Sequence, residues 1–136
     1  MKRPALLFAY QLVTGLSDTV TGILLCAAPG LTLRLMGVHA PADSLPYVGY
    51  IGAFVLSTGL ACLYGARILR ISSSPERIET VWFLTALSRA AVTLYLLPEI
   101  SIGSFEAAWL SVVVFDGTCA IIQGIGLRRG WLRDAR

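Results

Sequence analysis

The chain has 136 residues, of which 56% are hydrophobic and only 14% are charged. Soluble domains carry about 25% charged residues, and a core of this size cannot hide so much apolar surface from water. The composition therefore excludes an ordinary soluble domain and indicates an integral membrane protein. The formal net charge is +3, but the basic residues stand at the ends of apolar segments, as membrane-flanking anchors do, so no nucleic-acid partner is predicted.

Four apolar segments predict four transmembrane helices, because each is long enough to cross the hydrocarbon core of a bilayer. They are residues 4–28, 47–69, 78–97 and 105–127, followed by a basic tail at 128–136. The fold class predicted for residues 1–136 is a single all-α domain, an antiparallel bundle of four transmembrane helices. A cleaved signal peptide is rejected, because the first segment is too long and contains Gln11 and Asp18.

Glycine and proline indicate where these segments begin, end and approach one another. Pro29 and Gly30 end the first helix, and residues 31–38 form one or two amphipathic turns suited to the membrane interface. The second segment contains four glycines, which favour close approach of helix backbones. Pro75 stands at the first position of the third helix, and Pro98 is expected to stop that helix.

The distribution of positive charge predicts the orientation of the bundle. Most basic residues stand before the first helix, around the second connection or after the fourth helix: Lys2, Arg3, Arg67, Arg70, Arg77, Arg128, Arg129, Arg133 and Arg136. By the positive-inside bias, both termini are predicted to be cytoplasmic in a bacterial-type inner membrane. The predicted interfacial anchors are Lys2, Arg3, Arg128, Arg129 and Trp131.

Three charged residues inside the apolar segments are predicted to lie at one depth. A lone arginine facing lipid at mid-membrane costs about 2.5–3.5 kcal/mol, so Arg89 should face protein, water or an anion. Arg89 lies twelve residues beyond Arg77, and Asp116 lies twelve residues before Arg128, which is about 18 Å along either helix. Asp18 lies at a similar depth on the first helix. The sequence therefore predicts a charged layer near the bilayer centre.

Helical spacing places further polar residues on the faces that carry these charges, which predicts an inward polar layer. The face on the first helix is Gln11, Thr14, Asp18 and Thr21; on the third it is Trp82, Thr85, Arg89 and Thr93; on the fourth it is Asp116, Ala120 and Gln123. On the second helix, the inward stripe is expected to be Tyr50, Phe54, Ser57, Ala61 and Tyr64. The candidate binding or proton/ion site is Asp18, Arg89, Asp116, Gln11, Thr85 and Gln123.

The charged layer has several interpretations. Arg89 can pair with one or both aspartates and fix the order of the helices. Alternatively, two carboxylates and one guanidinium sum to minus one, so the layer can hold a proton or a cation on a transport pathway. Arg89 can also bind an anionic ligand, a lipid head group or a partner protein.

The segment LLCAAPGLTLRLMGV, residues 24–38, together with the spaced glycines before it, resembles small four-helix bacterial inner-membrane proteins of the DoxX-like kind. The resemblance implies a small multi-pass protein, and some DoxX-type proteins are subunits of quinone-linked sulfur oxidation. Small multidrug-resistance transporters are similar in layout, with an acid in the middle of the first helix. Arg89 departs from their pattern, because it compensates the free carboxylate that their exchange requires.

Three hypotheses of function follow. The first is a non-catalytic membrane protein that works as a homo-oligomer or as a small accessory subunit of a larger membrane complex, since no nucleophile–base set, metal cluster or phosphate loop stands in the sequence. The second is a small proton- or cation-coupled transporter that uses Asp18, Arg89 and Asp116. The third is a membrane enzyme with a quinone or lipid substrate, whose polar groups would be Arg89 and Tyr64. No cofactor and no metal are predicted.

Overall fold

The computed structural model describes residues 3–71 and 74–133, with Arg3 described by its backbone alone. All regular structure in this part of the chain is helical. The helices are α1 (Arg3–Ala27), α2 (Pro29–Leu35), α3 (Leu45–Ile71), α4 (Pro75–Ser101) and α5 (Leu110–Arg128). Single turns of 3-10 helix, Ala42–Ser44 and Ala107–Trp109, precede α3 and α5.

Proline and glycine set the boundary between α1 and α2. Ala28 leaves the helical region, with φ −147° and ψ 61°, since the α conformation is disfavoured before proline, and Pro29 occupies the first turn of α2. Gly37 then ends α2 with φ +75°. Its N–H donates to Arg34 O and the Val38 N–H donates to Leu33 O, at 3.1 and 2.9 Å, which is the Schellman arrangement. A short helix is therefore present in this region, at Pro29–Leu35 rather than at residues 31–38, and its place at the membrane interface stays a prediction.

Pro98 does not stop the third long helix, and this prediction is wrong. Helix α4 begins at Pro75, as predicted, but it continues through Pro98 to Ser101 and ends where Gly103 adopts φ +81°. A proline removes only one helical donor, and membrane helices tolerate that loss. Pro98 still accepts a hydrogen bond at the end of the helix, because the Ile102 N–H donates to Pro98 O at 3.0 Å. Helix α5, by contrast, begins five residues later than predicted, at Leu110.

The four long helices pack as two pairs. Helix α1 packs mainly against α3, helix α5 packs mainly against α4, and α3 joins the pairs by contacting α4. Glycines bring α1 and α3 close together: a Cβ at Gly22 would meet the backbone of Leu56, and a Cβ at Gly59 would meet the backbone of Thr19. We call Gly15, Gly22, Gly52 and Gly59 the glycine seam. The α1–α3 pair is consequently the tightest helix contact in the structure.

The face of α3 that was expected to point inward points outward. Tyr50, Phe54 and Tyr64 are 65%, 57% and 52% exposed, whereas Gly52, Gly59 and Cys62 are buried. The prediction is wrong because the two faces of α3 are both apolar, and the glycine face allows α1 to approach more closely. The large aromatic side chains are left on the outer surface.

The bundle buries several polar residues in its core and exposes many large apolar side chains. Helices α3, α4 and α5, with their flanking turns, are long and apolar enough to cross a membrane. Helix α1 is not among these candidate spans, but it buries Gln11, Thr14 and Asp18. Its exposed large side chains are Leu6, Val13, Leu16, Val20, Ile23 and Leu24. A protein dissolved in water would reverse these faces, so the arrangement supports a membrane protein.

Candidate functional site: a buried aspartate–arginine–aspartate layer

Arg89 of α4 binds two carboxylates that come from two other helices. Its Nη2 donates to Asp18 Oδ2 on α1, and its Nη1 donates to Asp116 Oδ1 on α5. The Arg89 side chain is 2% exposed, and those of Asp18 and Asp116 are 10% and 16% exposed. The predicted meeting of these three residues is confirmed, and we call them the ion layer.

The ion layer connects the two helix pairs. Asp18 belongs to the α1–α3 pair, whereas Arg89 and Asp116 belong to the α4–α5 pair. Another polar link across this boundary is the Tyr10 hydroxyl, which donates to Cys119 O at 3.3 Å. The Tyr10 ring also lies 5.5 Å from the Trp82 ring. Because helix α1 makes few close backbone contacts with α4 or α5, these side chains hold it against them.

The electrostatics of the ion layer favour paired charges. Hydrogen bonds between a guanidinium and carboxylates are about twice as strong as neutral ones, and a surrounding of low dielectric constant strengthens them further. The Phe115 ring adds a cation–π contact, with Arg89 Cζ 5.2 Å from its centroid. Two carboxylates and one guanidinium still leave one formal negative charge. A proton or a monovalent cation would neutralise the layer.

The other three candidate site residues form a separate group. Gln123 Nε2 donates to Thr85 Oγ1 at 2.8 Å, and the Thr85 hydroxyl donates to Val81 O at 2.8 Å. Gln11 Nε2 donates to Cys62 O at 3.3 Å, which joins α1 to α3. The two glutamine bonds cross between helices, but neither is made to a residue of the ion layer. The six candidate residues therefore lie in one core without forming one continuous hydrogen-bonded site.

Several buried polar atoms lack a protein partner within the described residues. They are Gln11 Oε1, Thr19 Oγ1, Trp82 Nε1, Arg89 Nε, Thr93 Oγ1 and Gln123 Oε1. Leaving a buried donor or acceptor unpaired costs about 1–3 kcal/mol. The core therefore contains more buried donors and acceptors than its own hydrogen bonds satisfy.

Of the five predicted anchors, the structure describes the side chains of Arg128, Arg129 and Trp131. Lys2 and the Arg3 side chain lie outside what the structure describes, whereas Arg128 and Arg129 are exposed. Trp131 is partly buried, and its ring lies against the backbone of Gly126. Anchoring in lipid stays a prediction for all five residues.

The segment after α5 is held against the start of α4. Arg133 Nε donates to Glu79 Oε1 at 2.7 Å, and Arg133 Nη2 donates to Glu79 Oε2 at 3.1 Å. This bidentate pair raises the pKa of the Arg133 guanidinium. Leu132, beside it, is buried in the apolar cluster that closes this end of the bundle.

Two residues of the site were not predicted from the sequence. Phe115, which covers Arg89, stands beside Asp116 in an apolar helix and gives no signal of its own. Tyr10 stands near the start of the first apolar segment, where an aromatic residue is expected at the membrane interface, but it is half-buried and hydrogen-bonded inside the bundle. Its spacing of four residues from Thr14 places it beside the polar face, and that spacing could have identified it.

Comparisons of the chain with protein-family models, curated proteins and solved structures found no match.

Proposed function

We propose that the chain is a non-catalytic integral membrane protein that works as an oligomer or as a small accessory subunit of a larger membrane complex. The observation that carries this proposal is the two-sided binding of Arg89, which uses both ends of the guanidinium to connect the helix pairs. In this proposal the ion layer fixes how the helices are arranged, because its three members bind one another. The proposal keeps the resemblance in layout to small DoxX-like inner-membrane proteins that the sequence suggests.

In this proposal all four long helices span a bacterial-type inner membrane and both termini are cytoplasmic. The polar residues of helix α1 are buried and its outer face is apolar, which supports a fourth span. The excess of Lys and Arg at one end of the bundle supports the orientation.

The topology predicts a definite labelling pattern. In a variant without native cysteines, Ser104→Cys should react with a membrane-impermeant maleimide added to spheroplasts. Lys2→Cys and Arg129→Cys should react only after the membrane is permeabilised. Labelling of either terminal cysteine from outside would refute the orientation.

The outer face of α3 supports association with another helix. Tyr50 and Phe54 stack there with ring centroids 5.0 Å apart, and Ser57 and Ala61 leave a shallow surface beside them. Small residues let helix backbones approach in lipid, and aromatic side chains are enriched at protein interfaces.

We therefore expect the protein, when it is extracted in mild detergent, to purify as a defined oligomer or together with a stable partner. Ser57→Trp should disrupt this association, because its bulk stands in the middle of the α3 face. Ile121→Trp, a matched change at an exposed position of α5, should not. Size-exclusion chromatography with light scattering measures both. A monodisperse monomer without a partner would refute the proposal.

A second candidate function, proton- or cation-coupled transport, is favoured by the unbalanced charge of the ion layer. Buried ionisable groups in membrane segments often mark such pathways. In reconstituted vesicles with a pH-sensitive dye, Asp18→Asn and Asp116→Asn should each abolish flux, while Glu99→Gln, outside the layer, should not. Unchanged flux in both aspartate variants would end this alternative.

A further inference from the structure

The ion layer has a companion layer one heptad away on the same three helices. Gln11 stands seven residues before Asp18 on α1, Trp82 stands seven before Arg89 on α4, and Gln123 stands seven after Asp116 on α5. Since α5 runs opposite to α4 and α1, all three steps lead towards the same end of the bundle. Seven residues span about 10.5 Å and return to nearly the same helix face. We call Gln11, Trp82 and Gln123 the amide layer.

The amide layer is fully buried but incompletely hydrogen-bonded. Gln11 and Gln123 each use their NH₂ group, towards Cys62 O and Thr85 Oγ1, and each leaves its amide oxygen without a protein partner. Trp82 Nε1 and Arg89 Nε are donors without a protein partner. Two acceptors and two donors are therefore unpaired in the core that runs from the ion layer to the amide layer.

Contacts with common neighbours connect the members of the amide layer. Gln11 lies against Gly65 beside Val81, which directly precedes Trp82. The Trp82 ring lies between Tyr10 of α1 and Gly126 of α5. Gln123 is bonded to Thr85, one turn from Trp82 on α4.

Apolar side chains enclose this polar region on both sides. Towards the end that carries the basic residues, the core is closed by Leu7, Ile68, Ile78 and Leu132, which pack on Trp82. On the opposite side of the ion layer, the buried side chains include Leu25, Leu96 and Val113.

We propose that the amide layer is a binding site for water, which bridges the Gln11 and Gln123 amide oxygens to Trp82 Nε1 and extends to Arg89 Nε. Water is the ligand whose chemistry fits, because it donates and accepts in equal number and bridges buried polar groups that would otherwise be unpaired. The proposal does not rest on the function proposed above. It gives the ion layer hydrogen-bonded water on the side that faces the amide layer.

Magnetic resonance of the Trp82 indole tests this proposal directly. Protein labelled with ¹⁵N-tryptophan is placed in phospholipid nanodiscs, and the Trp109→Phe/Trp131→Phe variant leaves Trp82 as the sole indole. We expect a cross-peak between the Trp82 indole N–H and water, with the sign that long-lived bound water gives. Absence of this cross-peak from the folded protein would overturn the proposal, as would a cross-peak to a ligand other than water.

A pair of variants tests which groups hold the water. In the same single-tryptophan background, Gln11→Leu/Gln123→Leu removes both unpaired acceptors and should reduce the cross-peak to the noise. Thr58→Val, which removes a hydroxyl bonded to Phe54 O on the exposed side of α3, should leave it unchanged. A cross-peak that persists in the glutamine variant would refute the assignment of the amide oxygens, and the single-tryptophan protein itself provides the test if that variant does not fold.

Discussion

Replacing Arg89 by methionine should lower the free energy of unfolding by about 3–5 kcal/mol, because it leaves two buried carboxylates without their shared partner. Methionine keeps much of the side-chain volume, so the loss reports on charge more than on packing. Helix content followed during SDS titration in mixed micelles measures the change. Arg77→Met, at an exposed position of the same helix, should change stability by no more than about 0.5 kcal/mol.

Removing the whole ion layer should be far less harmful than breaking it. Buried ion pairs and triads can often be replaced by apolar residues of similar volume at little cost. We expect Asp18→Val/Arg89→Met/Asp116→Val to regain most of the stability that Arg89→Met loses. If Arg89→Met were no less stable than Arg77→Met, Arg89 would not connect the helix pairs, and the proposed structural role would fail.

The same triple variant distinguishes the two proposed functions. A structural layer can be replaced by apolar side chains while the protein still forms its oligomer or complex. A transport site cannot, because the groups that carry the proton or cation have been removed. If the unaltered protein shows flux and the triple variant keeps its association but loses the flux, transport is favoured. If the unaltered protein shows no flux and the triple variant keeps its association, the structural role is favoured.

The ion layer could be predicted from sequence because charge in an apolar helix is rare and its depth can be counted. Arg77 and Arg128 mark the same membrane boundary, so Arg89 and Asp116 follow at equal distance from it. Helical spacing then places Gln11, on α1, on the face of Asp18. These inferences need only helix geometry and the cost of charge in lipid.

The packing of α3 could not be predicted in the same way. Its two faces differ in size rather than polarity, so hydropathy does not separate glycines such as Gly59 from aromatic residues such as Phe54. The choice depends on the shape of α1, whose own glycines meet those of α3. Similarly, the local rule that Pro98 ends a helix was overridden, because the donors beyond it find partners within α4.

The glycine seam makes a second strong prediction. A Cβ at Gly59 would meet the backbone of Thr19 and the carbonyl carbon of Asp18. Backbone cannot move aside as a side chain can, so Gly59→Leu must separate α1 from α3. We expect a loss of about 1–3 kcal/mol from overpacking. Gly124→Leu is the matched control, because nothing lies within 4 Å of a Cβ built there, and it should leave stability unchanged or slightly raised.

Gly59 also lies beside the ion layer, so its substitution should weaken the Asp18–Arg89 contact. The effects of Gly59→Leu and Asp18→Asn are therefore expected to be non-additive, as is usual for residues in contact. Asp18→Asn should cost less in the Gly59→Leu background than in the unaltered protein, since the contact it removes is already loosened. A double-mutant cycle by SDS titration measures this coupling. Strict additivity would mean that Asp18 keeps its place when α1 moves, and that the seam and the ion layer stabilise the bundle independently.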